Sequence, residues 1–250
     1  MRTTIYVIEQ HDQLLKLWRT QGATGLSVLH LDFHCDLRGL LINRPRQRAF
    51  RIWDRFPALD QGNFLTHAIM EGRIKRLRWV HHVPGGRQYD LGTVKYESDL
   101  SALPHRALLA LRRQQGIPLA YDVMPYDEWA DLTEGEVLDI DWDFFACQAY
   151  PVDTIPCRVR DFLDREFPIR PKQIYACYSP DYSHPSRPQF REFVQTLARI
   201  FEAEVITAQA VSPEKAANPR YRAYLPPSIY RLVRHLYWQA GLQLRKRGIY

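Results

Sequence analysis

Residues 26–36 read Leu-Ser-Val-Leu-His-Leu-Asp-Phe-His-Cys-Asp. An apolar run of strand length ends by delivering Asp32, His34 and Asp36 at alternate positions. Alternate side chains of an extended chain share a face, so the spacing predicts two carboxylates and an imidazole leaving one strand end together. Residues 136–145, Glu-Val-Leu-Asp-Ile-Asp-Trp-Asp-Phe-Phe, repeat the design with Asp139, Asp141 and Asp143. Carboxylates gathered on one face repel one another unless a cation neutralises them. Oxygen-rich sites with one or two imidazoles suit hard divalent ions such as Mn²⁺ or Mg²⁺ rather than thiolate-type Zn²⁺. The two stretches read as halves of one two-metal site, with Trp142 and Phe144 alternating away into the core.

The rest of the chain supplies a scaffold for such strand ends. Residues 4–8, Thr-Ile-Tyr-Val-Ile, are β-branched and aromatic, and Leu14, Leu15, Leu17 and Trp18 then form a helical stripe. His11 falls where that strand passes into the helix, with Asp12 as its expected N-cap. Gly22 and Gly25 break the chain before the strand that carries Asp32. Further strands are expected at 77–83, 119–124, 136–142, 173–178 and 204–207. Helices are expected at 63–71, 96–113, 153–167, 190–201 and 229–244. Strands alternating with helices predict an α/β fold, a three-layer αβα sandwich on a mainly parallel sheet, in one domain over residues 1–250. In such sheets functional groups collect at the carboxyl ends of the strands.

With 46% hydrophobic residues the chain is globular rather than disordered, and no apolar run reaches the length of a membrane span. A net charge of +6 predicts a basic surface able to draw in an acidic partner, but the excess is too scattered to predict nucleic-acid binding. Cys35, Cys147, Cys157 and Cys177 form no C-x-x-C pair, and no secretory leader is expected ahead of residue 3. The expected compartment is a reducing cytoplasm, with the cysteines as small buried fillers. Residues 44–56 interleave Arg44, Arg46, Arg48, Arg51 and Arg55 with Phe50, Trp53 and Phe56. That stretch reads either as a substrate-binding lip or as a packed loop with solvated arginines.

Asp32-Phe33-His34-Cys35-Asp36 resembles the Asp-x-His-x-Asp motif of the arginase (ureohydrolase) superfamily, and Asp139-Ile140-Asp141 its second Asp-x-Asp motif. His11 sits where that superfamily supplies its first histidine ligand. The resemblance implies an arginase/deacetylase-like fold and two Mn²⁺ per chain, with Asp32 and Asp139 bridging them. It gives His11 and Asp36 to one ion, and His34 and Asp141 to the other. Asp143 and His30 would support these ligands from behind. The usual Gly-Gly-Asp before the histidine is Ile8-Glu9-Gln10 here, Val137 replaces a leading serine, and the later Asp-Pro is missing. With Glu9-Gln10-His11 and Ser179-Pro180-Asp181-Tyr182, the variant pattern most resembles peptide arginases, which convert arginine side chains of ribosomally made precursor peptides to ornithine. The activity so implied is urea release by a metal-activated hydroxide, Asp141 taking part in catalysis, on an arginine peptide, and the +6 charge adds an acidic segment of that precursor as an expected partner feature.

A guanidinium offers five donors in a planar fork and calls for a carboxylate opposite. Asp181 follows the strand after the second motif, where the superfamily binds the guanidinium; capping the turn at Ser179-Pro180 is its other reading. Glu9 is a second candidate for the substrate. Collapse of the tetrahedral intermediate needs a proton donor. His67 follows Gly62-Asn63-Phe64, which resembles the arginase loop carrying a proton-shuttle histidine, with Asn63 as a substrate contact. His81, His82 and His184 are the other donors to consider. Competing functions are a small-guanidine hydrolase, a deacetylase-type amidohydrolase, a two-metal phosphoesterase and a non-enzymatic basic binding module.

Overall fold

The computed structural model describes residues 2–37, 59, 61–82 and 120–207. Their backbone forms, in order, β1 (Thr4–Ile8), α1 (Asp12–Thr20), β2 (Leu26–Leu31), α2 (Phe64–Met70), β3 (Ile74–His81), β4 (Ala120–Pro125) and β5 (Glu136–Asp141). They continue with α3 (Asp143–Ala146), α4 (Ile155–Leu163), β6 (Gln173–Cys177), α5 (Arg187–Ile200) and β7 (Glu204–Thr207). The seven strands form one sheet in the order β4-β3-β2-β5-β6-β1-β7, and every pairing is parallel. All carboxyl ends therefore open on the same side. The order reverses between β2 and β5, since β3 and β4 extend one way and β5 and β6 fill in the other. Ligand sites of open α/β sheets lie at such a switch point.

Both faces are covered. Val28 of β2, Leu77 and Trp79 of β3, Val137 of β5 and Tyr175 of β6 pack beneath Leu14, Leu15 and Trp18 of α1 and Phe64, Leu65 and Ile69 of α2. The alternate residues, among them Leu29, Leu31, Leu138, Ile140 and Ile174, pack against Phe144 and Phe145 of α3, Phe162 of α4 and Phe193 and Leu197 of α5. The expected αβα sandwich is present, with parallel pairing throughout the described sheet. Each fully buried large apolar side chain contributes roughly 1.5–3 kcal/mol, so the second, phenylalanine-rich layer is a strong clamp on β5. Trp142 and Phe144 are fully buried there, as expected.

Several boundaries differ from expectation. β2 ends at Leu31 and β5 at Asp141, so neither carboxylate series is a strand series to its end. His34 N–H donates to the Asp32 carboxylate at 2.6 Å and Asp36 has φ +50°, which folds the chain back instead of extending it. Asp143 N–H likewise donates to Asp141 Oδ1 at 3.1 Å as α3 begins. The N-cap of α1 is His11, while Asp12 lies in the first turn and pairs with Lys16 at 3.3 Å. α4 stops at Leu163, leaving Phe167 beyond it, β3 starts early at Ile74 and α5 at Arg187. Cys157 is exposed, unlike the other three cysteines. The helices expected at 96–113 and 229–244 and the basic aromatic stretch at 44–56 lie outside the described residues.

Candidate metal centre

Three strand ends build the site. β1 leads to His11, β2 to Asp32, His34 and Asp36, and β5 carries Asp139 and Asp141 before Asp143 opens α3. Parallel register sets His30 beside Asp139, and Asp141 beside Cys177 of β6. These side chains share the face that α1 and α2 cover. His11, His30, Asp32, Asp139 and Asp143 are fully buried, and Asp36 and Asp141 nearly so.

His11 Nδ1 stands 3.0 Å from Asp36 Oδ2, 3.0 Å from Asp141 Oδ2 and 3.3 Å from Asp32 Oδ2. It makes a hydrogen bond with none of them. One N–H cannot serve three carboxylates, but one ion can: neighbouring ligands on an octahedron with bonds of about 2.1 Å lie about 3 Å apart. Asp32 Oδ2 and His30 Nε2 are also buried without a hydrogen bond. A second set adjoins the first through Asp32, where His34 Nδ1 lies 2.7 Å from Asp143 Oδ2 and 3.7 Å from Asp32 Oδ1. The donors thus form groups that could hold a metal ion, one on the His11 side and one on the His34 side, with Asp32 common to both.

Asp139, the expected bridge, meets the far side of the His11 ring. Its oxygens lie 3.0 and 3.2 Å from His11 Nε2, and Oδ2 lies 2.8 Å from His30 Nδ1. A carboxylate on the far nitrogen of a histidine fixes the ring and its tautomer, leaving Nδ1 to face an ion. Asp143, expected behind the ligands, faces His34 directly, while Asp141 joins Asp32 and Asp36 at His11 Nδ1. Asp139 with His11 and His30, Asp141 with His11 and Cys177, and Asp143 with Asp32 and His34 each form a group that could hold a metal ion. His30 lies lower on the same face, between Asp139 at 2.8 Å and Asp32 at 3.3 Å.

The electrostatics ask for positive charge. Burial, then Asp143, Asp36 and Asp141, raise the Asp32 carboxyl well above its usual value. Burial and the Asp143 charge push Asp141 up to about 6. Burial opposes a charge on His11, yet the Asp139 carboxylate, with Asp141, holds it well above an ordinary imidazole. Burial also works against the Asp139 anion, but His11 and His30 bring it down to about 2. Asp143 is lowered too, as His34 outweighs its burial.

Ser179 enters the site through a turn. With φ +43° it swings its hydroxyl to donate to Asp141 Oδ2 at 2.6 Å, and its oxygen lies 3.2 Å from Cys177 Sγ. Asp181, half-buried in the following turn, offers its carbonyl to Gln148 Nε2 at 3.4 Å. Glu9 is taken by Arg187, whose guanidinium makes a two-pronged pair with it, one arm at 2.8 Å, and stacks 4.1 Å over the Tyr178 ring. Asn63 is buried at the start of α2, and His67 is half-buried in its last turn. Phe64, next to Asn63, lies 4.5 Å from the His11 ring. Neither His67 nor Asp181 belongs to the ion-holding groups among the described residues. Burial, then the His82 charge, holds His81 down to about 4, and burial with the Arg158 charge does the same to His82. Both environments therefore favour the uncharged ring. His184 Nε2 donates to the Tyr150 carbonyl at 2.7 Å.

Sequence patterning found the carboxylates but passed over Cys177 and Ser179 as filler and turn. The available signal was position, since both close the strand that register places between His11 and Asp141. No family model and no curated protein matches the chain.

Proposed function

We propose that the chain is a binuclear Mn²⁺ hydrolase of the arginase type, converting arginine side chains within a peptide to ornithine and urea. The observation that carries this reading is the pair of donor sets sharing Asp32, His11 with Asp36 and Asp141 on one side and His34 with Asp143 on the other. Asp141, which lies between His11 and the start of α3, joins the His11 side, and Asp139 faces the same ring from its other nitrogen. Oxygen-rich donors with imidazoles favour Mn²⁺ over softer ions. When bound, two such ions supply an activated water nucleophile at neutral pH.

The chain's own residues do the remaining work. Asp139 and His30 hold His11 in place, and Ser179 holds Asp141. Phe33 and Tyr182 set their rings edge-on to His34 at 5.1 Å each and wall off that side. Asp181, two residues after Ser179, is the carboxylate proposed to meet the guanidinium, while Glu9 is held by Arg187. His67 is the donor proposed for the leaving amine. A peptide rather than free arginine fits the +6 charge and the aromatic-arginine stretch at 44–56, which suit an acidic segment of a precursor in the cytoplasm.

The test is mass spectrometry of capped arginine peptides, free L-arginine and agmatine, each incubated with Mn²⁺-loaded protein. Ornithine and urea should appear, with kcat/KM higher for the peptides. Equal or better turnover of free arginine or agmatine would replace this reading with a small-guanidine hydrolase, and acetate release from acetyl-lysine peptides with a deacetylase.

A further inference from the structure

The ion-holding groups include one sulfur. Cys177 Sγ, His11 and Asp141 offer ligand atoms that all lie within 4.8 Å of one another, and all three residues are buried. This is a consequence of the topology. Cys177 ends β6, which runs between β1 and β5, and register places it beside Ile8 on one strand and Asp141 on the other. It points to the same face as Asp139 and Asp141, so the sulfur forms part of the floor between His11 and Asp141. His11 Nδ1, on a fully buried ring, faces this group without a hydrogen bond. Among the described residues the thiol lies 3.2 Å from the Ser179 oxygen. Because the Ser179 hydroxyl donates to Asp141, its oxygen is free to accept the S–H.

We propose that Cys177 is a sulfur ligand on the His11 side of the centre, so that this half admits borderline and soft divalent ions, Co²⁺, Zn²⁺ and Cd²⁺, through a His11–Asp141–Cys177 donor set. The proposal rests on the metal-centre reading and adds a ligand class to it. Binding in this mode breaks the S–H bond, forms a metal–thiolate bond and releases one proton to solvent. A hard ion such as Mn²⁺ gains little from sulfur and is held by the carboxylates, leaving the thiol protonated. The two sides of the centre would then differ in softness, since the His34 side has only imidazole and carboxylate donors.

The experiment is a titration of EDTA-treated, dialysed full-length protein with Co²⁺ and with Cd²⁺, in parallel for wild type, Cys177→Ser and Cys177→Ala. Wild type should show the Co²⁺ d–d bands together with a near-ultraviolet thiolate-to-metal charge-transfer band, and the charge-transfer band should vanish in both variants. The preference for Cd²⁺ over Mn²⁺ should fall by about tenfold or more, the scale on which the loss of one metal-site partner acts. Wild type should also release one more proton per Cd²⁺ than the variants. Should the variants fail to fold, the ¹¹³Cd chemical shift of the wild-type complex reads a sulfur ligand directly. Co²⁺ bound without the charge-transfer band, or a ¹¹³Cd shift typical of oxygen and nitrogen donors alone, overturns the assignment of Cys177 and leaves the metal centre standing. No uptake of Co²⁺, Cd²⁺ or Mn²⁺ by equilibrium dialysis overturns both.

Discussion

Asp139 and Asp141 lie two residues apart on one face of one strand, yet they meet opposite nitrogens of the same histidine. That separates ligand from support. Asp32→Ala removes the carboxylate common to both donor sets and should leave less than one equivalent of Mn²⁺ after dialysis. Asp143→Ala should leave about one, lost from the His34 side. Asp139→Asn keeps the ligands and slackens His11, so both ions should still bind at saturation, with affinity on the His11 side lowered about 10–100-fold. Elemental analysis with competitive chelation decides; loss of both ions from the Asp139→Asn protein at saturating Mn²⁺ would restore Asp139 to a bridging place. The carboxylates themselves were legible because three acidic residues at alternate positions have no ordinary place in a buried strand. Which of them face the ions was not legible, since that depends on where the strand stops. Asp32 and Asp141 each accept the backbone N–H two residues on, and this local turn chemistry competes with extension in a way that a period of two does not reveal. Cys177 was illegible for another reason: its neighbours come from β1 and β5, far away in sequence.

At the scale of elements, the strands were readable from apolar runs, and the order in which they assemble was not. No local signal places β5 and β6 between β2 and β1, although that insertion is what brings Asp141 to His11. The end of β3 shows how much a boundary matters. His81 and His82 are adjacent, so their rings leave opposite faces, His81 tilted over Trp79 at 5.2 Å and His82 against Tyr126 at 4.5 Å and Phe144 at 4.9 Å. Burial holds both at about 4, against 6.5 for a free imidazole. Since the folded value is the lower one, the fold favours the neutral rings. Their contribution is complete above pH about 6.5 and is lost as pH falls towards 4, at up to about 1.4 kcal/mol per pH unit for each histidine. His82→Phe keeps the aromatic contacts and removes one of these protons. Urea unfolding of the two proteins in the same EDTA-containing buffers should therefore give a stability loss between pH 6.5 and 4 that is shallower in the variant, by up to that slope. Parallel pH curves would mean that His82 is solvated in the folded protein.

For the whole molecule, the sheet gathers five buried carboxylates, Asp32, Asp36, Asp139, Asp141 and Asp143, at one switch point between two layers of helices. The buried Arg78 does not balance them, because its guanidinium is held by Glu136, with one arm at 2.6 Å, and by the Asp131 carbonyl. Three histidines offset only part of the charge. Cations bound among these carboxylates would relieve their repulsion, and anything that binds the native state alone stabilises it by mass action. With free ion about 100-fold above each dissociation constant, one site adds about 2.7 kcal/mol, and two sites about 5. For a chain of this size that corresponds to a rise in melting temperature of about 10–20 °C. Thermal unfolding should therefore shift down by that order when EDTA is added and return with excess Mn²⁺. Asp32→Ala should show almost no shift, because its relief of repulsion and its loss of ions remove both halves of the effect. A non-enzymatic basic module that uses its carboxylates for structure alone predicts the opposite, the same melting curve with EDTA and with Mn²⁺. If the wild-type curves coincide, the two-ion centre fails along with the hydrolase built on it, whatever activity is found.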